Sequence, residues 1–381
     1  MDRRDFLRIL GGGAIVAATS GHAPASGTPV ADPVGPWVTA GAETGDMRRR
    51  TLAYAILAPN PHNRQPWMVD LGTDDQVTLF CDPTRLLPVT DPFGRQILIG
   101  LGAFVETFAI AAATAGRGTQ VTLFPDGFPD ERVDARPIAI LRLTGPAEPD
   151  LLFPFILKRR SVKTPYDMTR VIPADAIAAL AAAKTTGVDA LKIVTDAPEV
   201  AVMRGFMSRA GEIEVGTPRT WKESVDLMRM GRAENLANPD GISMDGPFIE
   251  KLVAEGKINR EIMADTSHPA FRAGAERWTA STVATPAALW FSTPNNSRAD
   301  QIAAGRAWMR IALTAVAHGL SLHPMSQVLQ EYPEMAGEFA AFHAHVGIKT
   351  PARVQMLARL GYGPAVGPTP RWPLETRMKP A

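Results

Sequence analysis

Hydrophobic positions recur along this chain with two periods, one typical of helices and one typical of strands. Apolar residues at helical spacing predict helices near 46–57, 97–115, 173–184, 197–210, 222–234, 247–256, 298–318 and 327–341. Short alternating or apolar runs predict strands at 76–81, 120–124, 136–143, 191–195 and 287–292. Because the two kinds of element alternate, we expect a layered fold of the α+β or α/β class.

Two of the predicted helices resemble each other. Segments 102–116 and 305–319 are rich in alanine, and each begins and ends with glycine at the same spacing. A C-terminal glycine suits a left-handed helix cap, and small residues let two helices approach closely. The flanking elements also repeat in order, so the pattern favours an internal duplication over a coincidence of composition.

The first 23 residues have the features of an export signal. Paired arginines at positions 3 and 4 precede a mildly apolar run over 9–18 and small residues up to Ala23. This arrangement looks like a twin-arginine signal; a charged terminus followed by a short buried helix is the alternative. Because the twin-arginine machinery carries folded proteins, we expect a periplasmic or otherwise exported protein with a cofactor inserted before export. Residues 24–45, rich in Pro, Gly, Ala and Thr, are predicted to form a linker.

Charge and composition argue against several kinds of partner and site. The 40 basic and 39 acidic residues nearly cancel, which argues against a nucleic-acid partner. The single cysteine, Cys81, allows neither an intrachain disulfide nor a cysteine zinc site, and the histidines lack paired metal spacing, so we expect no metal. The N-terminal apolar run is shorter than the about 20 residues of a membrane span, and we expect no span after signal cleavage.

The most distinctive motif is a loop rich in proline and asparagine, Ala-Pro-Asn-Pro-His-Asn-Arg-Gln-Pro-Trp at 58–67. It resembles the Asn-x-Gln-Pro-Trp loop of the nitroreductase superfamily. Lys-Arg-Arg-Ser-Val-Lys at 158–163 is similar to the Arg-x-Ser-x-Lys motif of that family. Further similar segments follow in the family's order at 305–319, 321–327, 360–364 and 370–374. The resemblance covers most of residues 46–376 and implies a nitroreductase-like α+β fold with an FMN cofactor.

The order of the two motifs is reversed relative to ordinary nitroreductases. Members of that family are domain-swapped homodimers, in which one subunit supplies the Arg-x-Ser segment and the other supplies the asparagine loop. The reversed order in one chain implies a fused dimer with a single flavin site, a monomer that mimics a dimer. This layout is most similar to the Acg-like branch, in which a long insertion covers the flavin. It implies a first half at 46–150, a second half at 151–376, and a helical lid at about 209–280.

An FMN site needs cationic donors for the phosphate and positive charge near the pyrimidine edge of the ring. The resemblance assigns the phosphate to Arg159 and Arg160 with Arg371 as a second clamp, the ribityl or phosphate end to Ser161, and the pyrimidine edge to Lys163. It assigns the other side of the ring to Pro59, Asn60, Pro61 and Asn63, and flavin atoms N5 and O4 to the backbone of Met325 and Ser326. No side chain need act as nucleophile or base, because the flavin itself carries the hydride.

Each assignment has a plainer alternative. Arg159 and Arg160 could lie on a solvated helix face, Asn63 could only bridge a turn, and Arg371 could float in a mobile terminus. For the whole protein, the first hypothesis is an FMN oxidoreductase, exported folded, that transfers hydride through its flavin to a small acceptor. The second is an FMN-sequestering or storage protein with a closed lid. A periplasmic solute-binding protein without a redox role is a remote third.

Overall fold

The structure is a computed structural model that describes residues 32–42, 45–127 and 131–379. The predicted export signal at 1–23 lies outside the described residues, as does the first part of the predicted linker. The rest of that linker is not a plain tether. Gly35–Thr39 form a short helix, α1, on which Trp37 is only 6% exposed. The linker prediction is wrong for this part, because a buried indole anchors it to the body of the protein.

The first half of the chain builds one antiparallel sheet with helices packed against it. The strands are β1 (Trp67–Asp70), β2 (Gln76–Cys81), β3 (Arg117–Leu123) and β4 (Pro137–Pro146), in the spatial order β1-β2-β4-β3. Helices α2 (Met47–Ala55) and α3 (Arg95–Thr114) share its core. Along β2, alternate residues Val77, Leu79 and Cys81 are buried, so the period-two pattern creates the core face.

The second half builds a second antiparallel sheet. Its strands are β5 (Leu191–Val194), β8 (Ala287–Thr293), β9 (Ser321–Pro324) and β10 (Arg353–Gly361), in the spatial order β5-β8-β10-β9. One apolar cluster joins this sheet to α4 (Ala174–Ala182) and α11 (Arg298–Ala317), and another joins it to α5 (Ala197–Gly216) and α12 (Ala336–His345). Every residue of β8 is therefore buried, because helices cover both faces.

The two halves share one topology. In each half the long helix, α3 or α11, follows the second strand of its sheet, and the next strand along the chain lies at the sheet edge. Gly116 and Gly319 follow these helices at φ 80° and 70°, so the predicted left-handed caps are confirmed. The mixed helix and sheet class, α+β, is confirmed as well. The shared topology supports an internal duplication, which stays a prediction.

Helices α3 and α11 cross where Gly102 faces Gly305. A Cβ atom built on Gly102 would overlap the carbonyl oxygen of Ile302, and one built on Gly305 would overlap that of Ile99. The two backbones therefore touch at a point that only glycine permits. This crossing joins the two halves of the chain.

Helix α3 is, among the described residues, long and apolar enough to cross a membrane, a property that the sequence analysis overlooked. In the structure, 83% of its apolar window is buried inside the protein. Its apolar residues therefore form the core between the first sheet and α11.

The insertion between β5 and β8 forms most of the predicted lid. After α5 it contains α6 (Pro218–Asp226), β6 (Met228–Met230), α7 (Gly231–Ala237), β7 (Ile242–Met244), α8 (Pro247–Ala254), α9 (Arg260–Ala264) and α10 (Pro269–Val283). Strands β6 and β7 pair in parallel, and Val225, Met228, Met230 and Met244 belong to an apolar core of its own. We call residues 209–280 the lid. In the first half, by contrast, β1 and β2 pair with only a short turn between them.

Two predicted helices differ from the structure for a tertiary reason. The predicted helix at 222–234 is interrupted at Asp226, because Met228–Met230 pair with β7. The predicted helix at 327–341 is displaced: Ser326–Leu329 form a 3-10 turn, and α12 begins only at Ala336. Strands β1, β9 and β10 were missed, because their sequences lack a distinct strand period.

Replacing Gly305 with alanine should destabilise the protein strongly. The added methyl group would meet backbone rather than a movable side chain, so we expect a loss of about 3 kcal/mol in the free energy of unfolding. Urea unfolding measures this loss. Gly337→Ala is the control, because Gly337 is exposed on α12 with nothing near its Cβ position and should gain up to about 1 kcal/mol. Equal effects from both variants would contradict the close crossing.

Candidate functional site

The asparagine loop before β1 has an unusual backbone. His62, Asn63 and Gln65 have φ values of 46°, 51° and 50°, in the left-handed region. Each such non-glycine residue costs of order 1 kcal/mol or more and persists only when its surroundings impose it. Asn60 imposes part of the shape, because its Oδ1 accepts from the amide of Gln65 at 2.7 Å. Gly100 of α3 lies against Asn60, so the loop rests on the long helix close to the crossing.

The side chains of Asn63 and Gln65 tie this loop to distant segments. Asn63 donates to the carbonyl of Pro370 at 3.0 Å and accepts from Arg371 at 2.6 Å. Gln65, fully buried, accepts from the amide of Trp372 at 2.9 Å and donates to the carbonyl of Pro239 at 2.7 Å. The loop therefore joins the C-terminal segment and the lid. The Asn63 side chain, predicted to contact flavin, is bonded to the C-terminal segment in this structure.

Three arginines converge at the C-terminal end of α2. Arg159 and Arg371 both donate to the carbonyl oxygen of Leu57, at 3.2 and 3.3 Å. Arg160 follows Arg159 directly and donates to the Leu157 carbonyl at 2.9 Å. Arg159 and Arg371 are 5% and 3% exposed. The carbonyl end of a helix attracts positive charge, which is a local reason for this arrangement. The alternative of a solvated helix face is wrong for Arg159.

No carboxylate in the described part of the chain forms an ion pair with these three arginines. Burial, followed by repulsion from Arg160, lowers the pKa of Arg159 to about 9. Burial lowers the pKa of Arg371 well below its ordinary range, and Arg159 and Arg160 lower it further. The Nε atoms of Arg159 and Arg160 are buried without a hydrogen-bond partner. Uncompensated charge and unpartnered donors together create a site that an anion would stabilise.

Arg371 occupies this cluster in a different role from the one predicted. Its Nε donates to the Ile56 carbonyl, its Nη2 to Leu57 and Ala58, and its Nη1 to Asn63, Thr369 and Pro370. Every N–H group therefore has a protein acceptor. Arg371 fastens the C-terminal segment to the loop, and a mobile terminus is ruled out for it. Arg159 and Arg160 retain the unpartnered donors.

Ser161 and Lys163 lie beside strands β9 and β10 of the second sheet. Ser161 forms an isolated parallel bridge with Leu322, and the amide of Val162 donates to the Leu322 carbonyl at 3.2 Å. Lys163 keeps exposed surface, yet desolvation by the surrounding protein lowers its pKa. We call the space around the Lys163 side chain the cleft.

The cleft also receives His62 from the asparagine loop and His323 from β9. Burial, followed by the charge of Lys163, lowers the pKa of His62 to about 4. Burial lowers the pKa of His323 well below its ordinary range, and the charges of Arg359 and Lys163 lower it further. The charge of Lys163 thus acts on one imidazole from each half of the chain. Both imidazoles are neutral at neutral pH.

His323 and Arg359 are candidate site residues that the sequence analysis missed. Arg359 donates to Nδ1 of His323 at 3.3 Å, so the imidazole proton lies on Nε2. Arg359 is fully buried and also donates to the carbonyls of Thr164 and Ala284. Trp278 of the lid lies 6.0 Å from the His323 ring. Since β9 and β10 pair Arg359 with His323 across the sheet, only the strand register could reveal this contact.

The backbone predicted to face flavin N5 is partly occupied. The amide of Met325 donates to the Leu357 carbonyl at 2.7 Å, so the strand pairing uses this donor of the backbone predicted to face the flavin. The carbonyl of Ser326 accepts from the side chain of Gln96 at 3.4 Å. Pro59 and Pro61 are half-buried on the loop beside α3, where the Cδ atom of Pro61 approaches Gly100.

The lid is fastened next to the asparagine loop by a buried carboxylate. Asp240, 4% exposed, accepts from Arg85 at 2.6 Å, from Arg229 at 2.7 Å and from the indole of Trp372 at 3.2 Å. Burial alone would raise the pKa of Asp240, but the bonds from Trp372 and Arg229 lower it overall. The next amide, Gly241 N–H, donates to the Asn63 carbonyl at 3.2 Å. The lid therefore closes directly onto the loop.

A second lid contact buries an acid. Glu214 is 7% exposed, and its Oε2 has no hydrogen-bond partner. Burial raises its pKa to about 7, although the neighbouring polar groups of Gln327, Gln330 and Ser224 oppose the rise. Gln327 belongs to the turn that follows Met325, so this acid links the lid to the turn.

Two open depressions lie elsewhere on the surface. One of about 550 Å³ is lined by Phe80, Asp134 and Arg136, and a neighbouring one of about 230 Å³ includes Lys379. Both flank the outer part of the first sheet. Neither touches the arginine cluster or the cleft around Lys163, so we assign them no role.

No family model matches this sequence. Eighty-three residues are 40% identical to the Mycobacterium tuberculosis protein named "Putative NAD(P)H nitroreductase acg", covering 22% of this chain and 25% of that protein. The chain thus aligns with about a quarter of that relative. A second M. tuberculosis protein, "Putative NAD(P)H nitroreductase Rv3131", is 27% identical over 333 residues, or 85% of this chain and 88% of that protein. These relatives support the resemblance to the nitroreductase superfamily over most of the chain.

Solved structures of nitroreductases are also similar to parts of this chain. The FMN-dependent nitroreductase NfnB from Mycobacterium smegmatis, in complex with NADPH, is 17% identical with a TM-score of 0.36 and covers 60% of this chain and 96% of its own. A nitroreductase with bound FMN from Bacteroides fragilis is 13% identical, with a TM-score of 0.32. The match covers 56% of this chain and 89% of the Bacteroides fragilis chain. Each superposition thus leaves a large part of this chain unmatched.

Replacing Glu214 with glutamine should remove part of the pH dependence of stability. The folded-state pKa lies above the unfolded value of about 4.5, so Glu214 costs no stability below about pH 4.5 and progressively more as pH rises to about 7. The full cost is about 3 kcal/mol above that pH. Urea unfolding between pH 5 and pH 8 measures it. Glu214→Gln should be more stable than the parent at the alkaline end.

Glu212→Gln is the matched control for this measurement, because Glu212 is exposed on the same helix. It should follow the parent protein at every pH. If the Glu214→Gln variant shows the same pH slope as both other proteins, Glu214 does not titrate at a shifted pKa.

Replacing Asp240 with asparagine should release the lid. The change leaves Arg85 and Arg229 without their shared buried anion, and breaking such a pair costs about 3 to 5 kcal/mol. Limited proteolysis should then cut the lid faster while the two sheets stay protected. Asp226→Asn is the control, because its pair with Lys222 is exposed and worth little. Cleavage at an unchanged rate would show that Asp240 does not hold the lid.

Proposed function

We propose that this protein is a flavoprotein of the nitroreductase superfamily that binds one FMN and transfers hydride to a small acceptor. The observation that carries the proposal is the arginine cluster, in which Arg159, Arg160 and Arg371 have no carboxylate partner among the described residues. Such a cluster fits a phosphate group. The similarity to relatives named NAD(P)H nitroreductases supports the same class of protein.

The residues fit FMN at both ends of the molecule. The unpartnered Nε atoms of Arg159 and Arg160 are available to a phosphate, and guanidinium groups suit phosphate oxygens. Lys163 projects into the cleft and would place positive charge at the pyrimidine edge. When bound, FMN would supply the hydride and electron chemistry.

The protein's own residues would mainly bind, orient and exclude water. His62 and His323 stay neutral, so they offer hydrogen bonds in the cleft without adding charge. His323 can donate from Nε2 because Arg359 occupies the lone pair of Nδ1. Arg371 and Gln65 hold the C-terminal segment and the lid against the asparagine loop. No buried Ser-His-Asp or Cys-His arrangement is required.

The closed lid favours a small acceptor. Asp240 and Gly241 bond the lid to the loop, and Trp278 lies beside His323 over the cleft. Bulky nitroaromatic compounds would require the lid to open. The same observation supports the second candidate, an FMN-sequestering or storage protein in which the lid rarely opens.

We also propose that the chain is exported folded through the twin-arginine machinery and works in the periplasm as a monomer. The supporting feature is the paired arginines and apolar run of residues 1–23. A chain that carries both motif segments has no need of a second subunit for its flavin site.

A visible absorption spectrum of the protein purified from the periplasm tests the cofactor. We expect a yellow protein with flavin bands and one FMN per chain. A protein that is colourless and stays so after FMN is added would end the proposal. Reduction by NADPH or NADH and rapid reoxidation by a quinone or nitro compound would favour the enzyme, while a flavin that resists reduction would favour sequestration.

Arg160→Ala and Asn63→Ala should each weaken FMN retention, whereas Arg49→Ala should not. Losing one charge-assisted contact to phosphate costs about 1.5 to 3 kcal/mol, or roughly tenfold to a hundredfold in Kd. Asn63→Ala acts through Arg371 and Pro370, which lose their partner. Arg49 instead pairs with Glu375 at 2.7 Å. Fluorescence of released flavin measures each Kd, and equal losses in all three variants would contradict a single flavin site.

A further inference from the structure

The segment between the predicted signal and the body of the protein makes specific contacts with the arginine cluster. We call residues 32–42 the strap. Trp37, on its short helix, is 6% exposed, while the neighbouring Val38 is 79% exposed. Trp37 is thus the large aromatic side chain that the strap buries against the body of the protein.

Two hydrogen bonds, one from a side chain and one between backbone groups, hold the strap to the C-terminal segment. The indole N–H of Trp37 donates to the Thr369 carbonyl at 2.8 Å. The amide of Arg371 donates to the Pro33 carbonyl at 2.8 Å. Gly41 then turns the chain at φ 87°, where a Cβ atom would overlap the hydroxyl of Tyr54. These contacts fix the position of the strap against the C-terminal segment and Tyr54.

Two arginines of the cluster lie over the Trp37 ring. The guanidinium carbon Cζ of Arg160 is 4.5 Å from the ring centroid, and that of Arg371 is 5.3 Å away. The face of an indole attracts a guanidinium group, and the attraction grows when water is excluded. No carboxylate among the described residues pairs with Arg160 or Arg371. Trp37 is therefore the neutral partner that orients Arg160.

We propose that Trp37 is a positioning residue that holds the Arg160 side chain at the phosphate end of FMN, so that the strap strengthens binding of the phosphate-bearing flavin. This inference rests on the proposed FMN function. Arg160 has a long side chain, and ordering it in advance lowers the entropy cost of binding an anion. Because Trp37 acts on the phosphate end, it should affect FMN and leave riboflavin, which lacks the phosphate, largely unaffected.

The proposal gives the segment after the export signal a role in the folded protein. Binding and ordering are reciprocal, so FMN that binds more tightly with the strap in place must also stabilise the strap. Cofactor insertion before export would then stabilise the strap, which follows the predicted signal in the chain.

The test compares FMN and riboflavin binding to the full chain freed of flavin, using quenching of flavin fluorescence. Trp37→Ala should raise the Kd for FMN about tenfold and change that for riboflavin less than twofold. Trp37→Phe keeps an aromatic face and should restore most of the FMN affinity. Val38→Ala, on the exposed side of the same helix, should match the parent for both flavins.

Each other outcome has a distinct meaning. An unchanged FMN affinity in Trp37→Ala overturns the inference, and so does an equal loss of FMN and riboflavin, which would indicate a general structural role. If Trp37→Ala unfolds, Trp37→Leu replaces it, because leucine fills the position without an aromatic face. A loss of affinity for FMN but not for riboflavin then supports the inference, and an equal loss for both flavins, or no loss, overturns it. If the parent chain binds neither flavin, the proposed function itself fails.

Discussion

The contact between Gly102 and Gly305 is the constraint on which the candidate site depends. It brings the backbones of α3 and α11 together, and each helix positions one motif. Two residues before the crossing, Gly100 seats Asn60 of the asparagine loop. Just after α11, Leu322 pairs with Ser161 and so positions Lys163. A larger residue at the crossing would therefore separate the two motifs as well as the two helices.

Positive charge without a carboxylate partner is the second organising feature. The protein offsets the cost of burying guanidinium groups with backbone carbonyls at the end of α2 and with the indole of Trp37. Arg371 is satisfied entirely in this way, whereas Arg159 and Arg160 keep unpartnered nitrogens. A carboxylate paired with Arg159 and Arg160 would have compensated their buried charge, but it would have occupied the nitrogens that an anion could bind. The cluster thus favours a ligand that carries negative charge.

The lid is the third organising feature. It has an apolar core of its own, and it is bonded to the loop through Asp240 and Gly241. Its acid Glu214 lies against the turn after Met325, with a pKa of about 7. Access to the cleft is therefore coupled to a few polar contacts between the lid and the body.

The amino-acid sequence was enough to predict the α+β class, the two similar long helices with their glycine caps, and the two motifs, because these depend on local periodicity and residue type. It could not show that Arg371 and Asn63 bond each other, that Met325 N–H is used by Leu357, or that His323 meets Arg359. It also assigned the strap to a linker, since nothing local distinguishes a buried tryptophan from an exposed one. These contacts follow from the folded arrangement of the chain, because strand register and long-range packing determine which donor meets which acceptor.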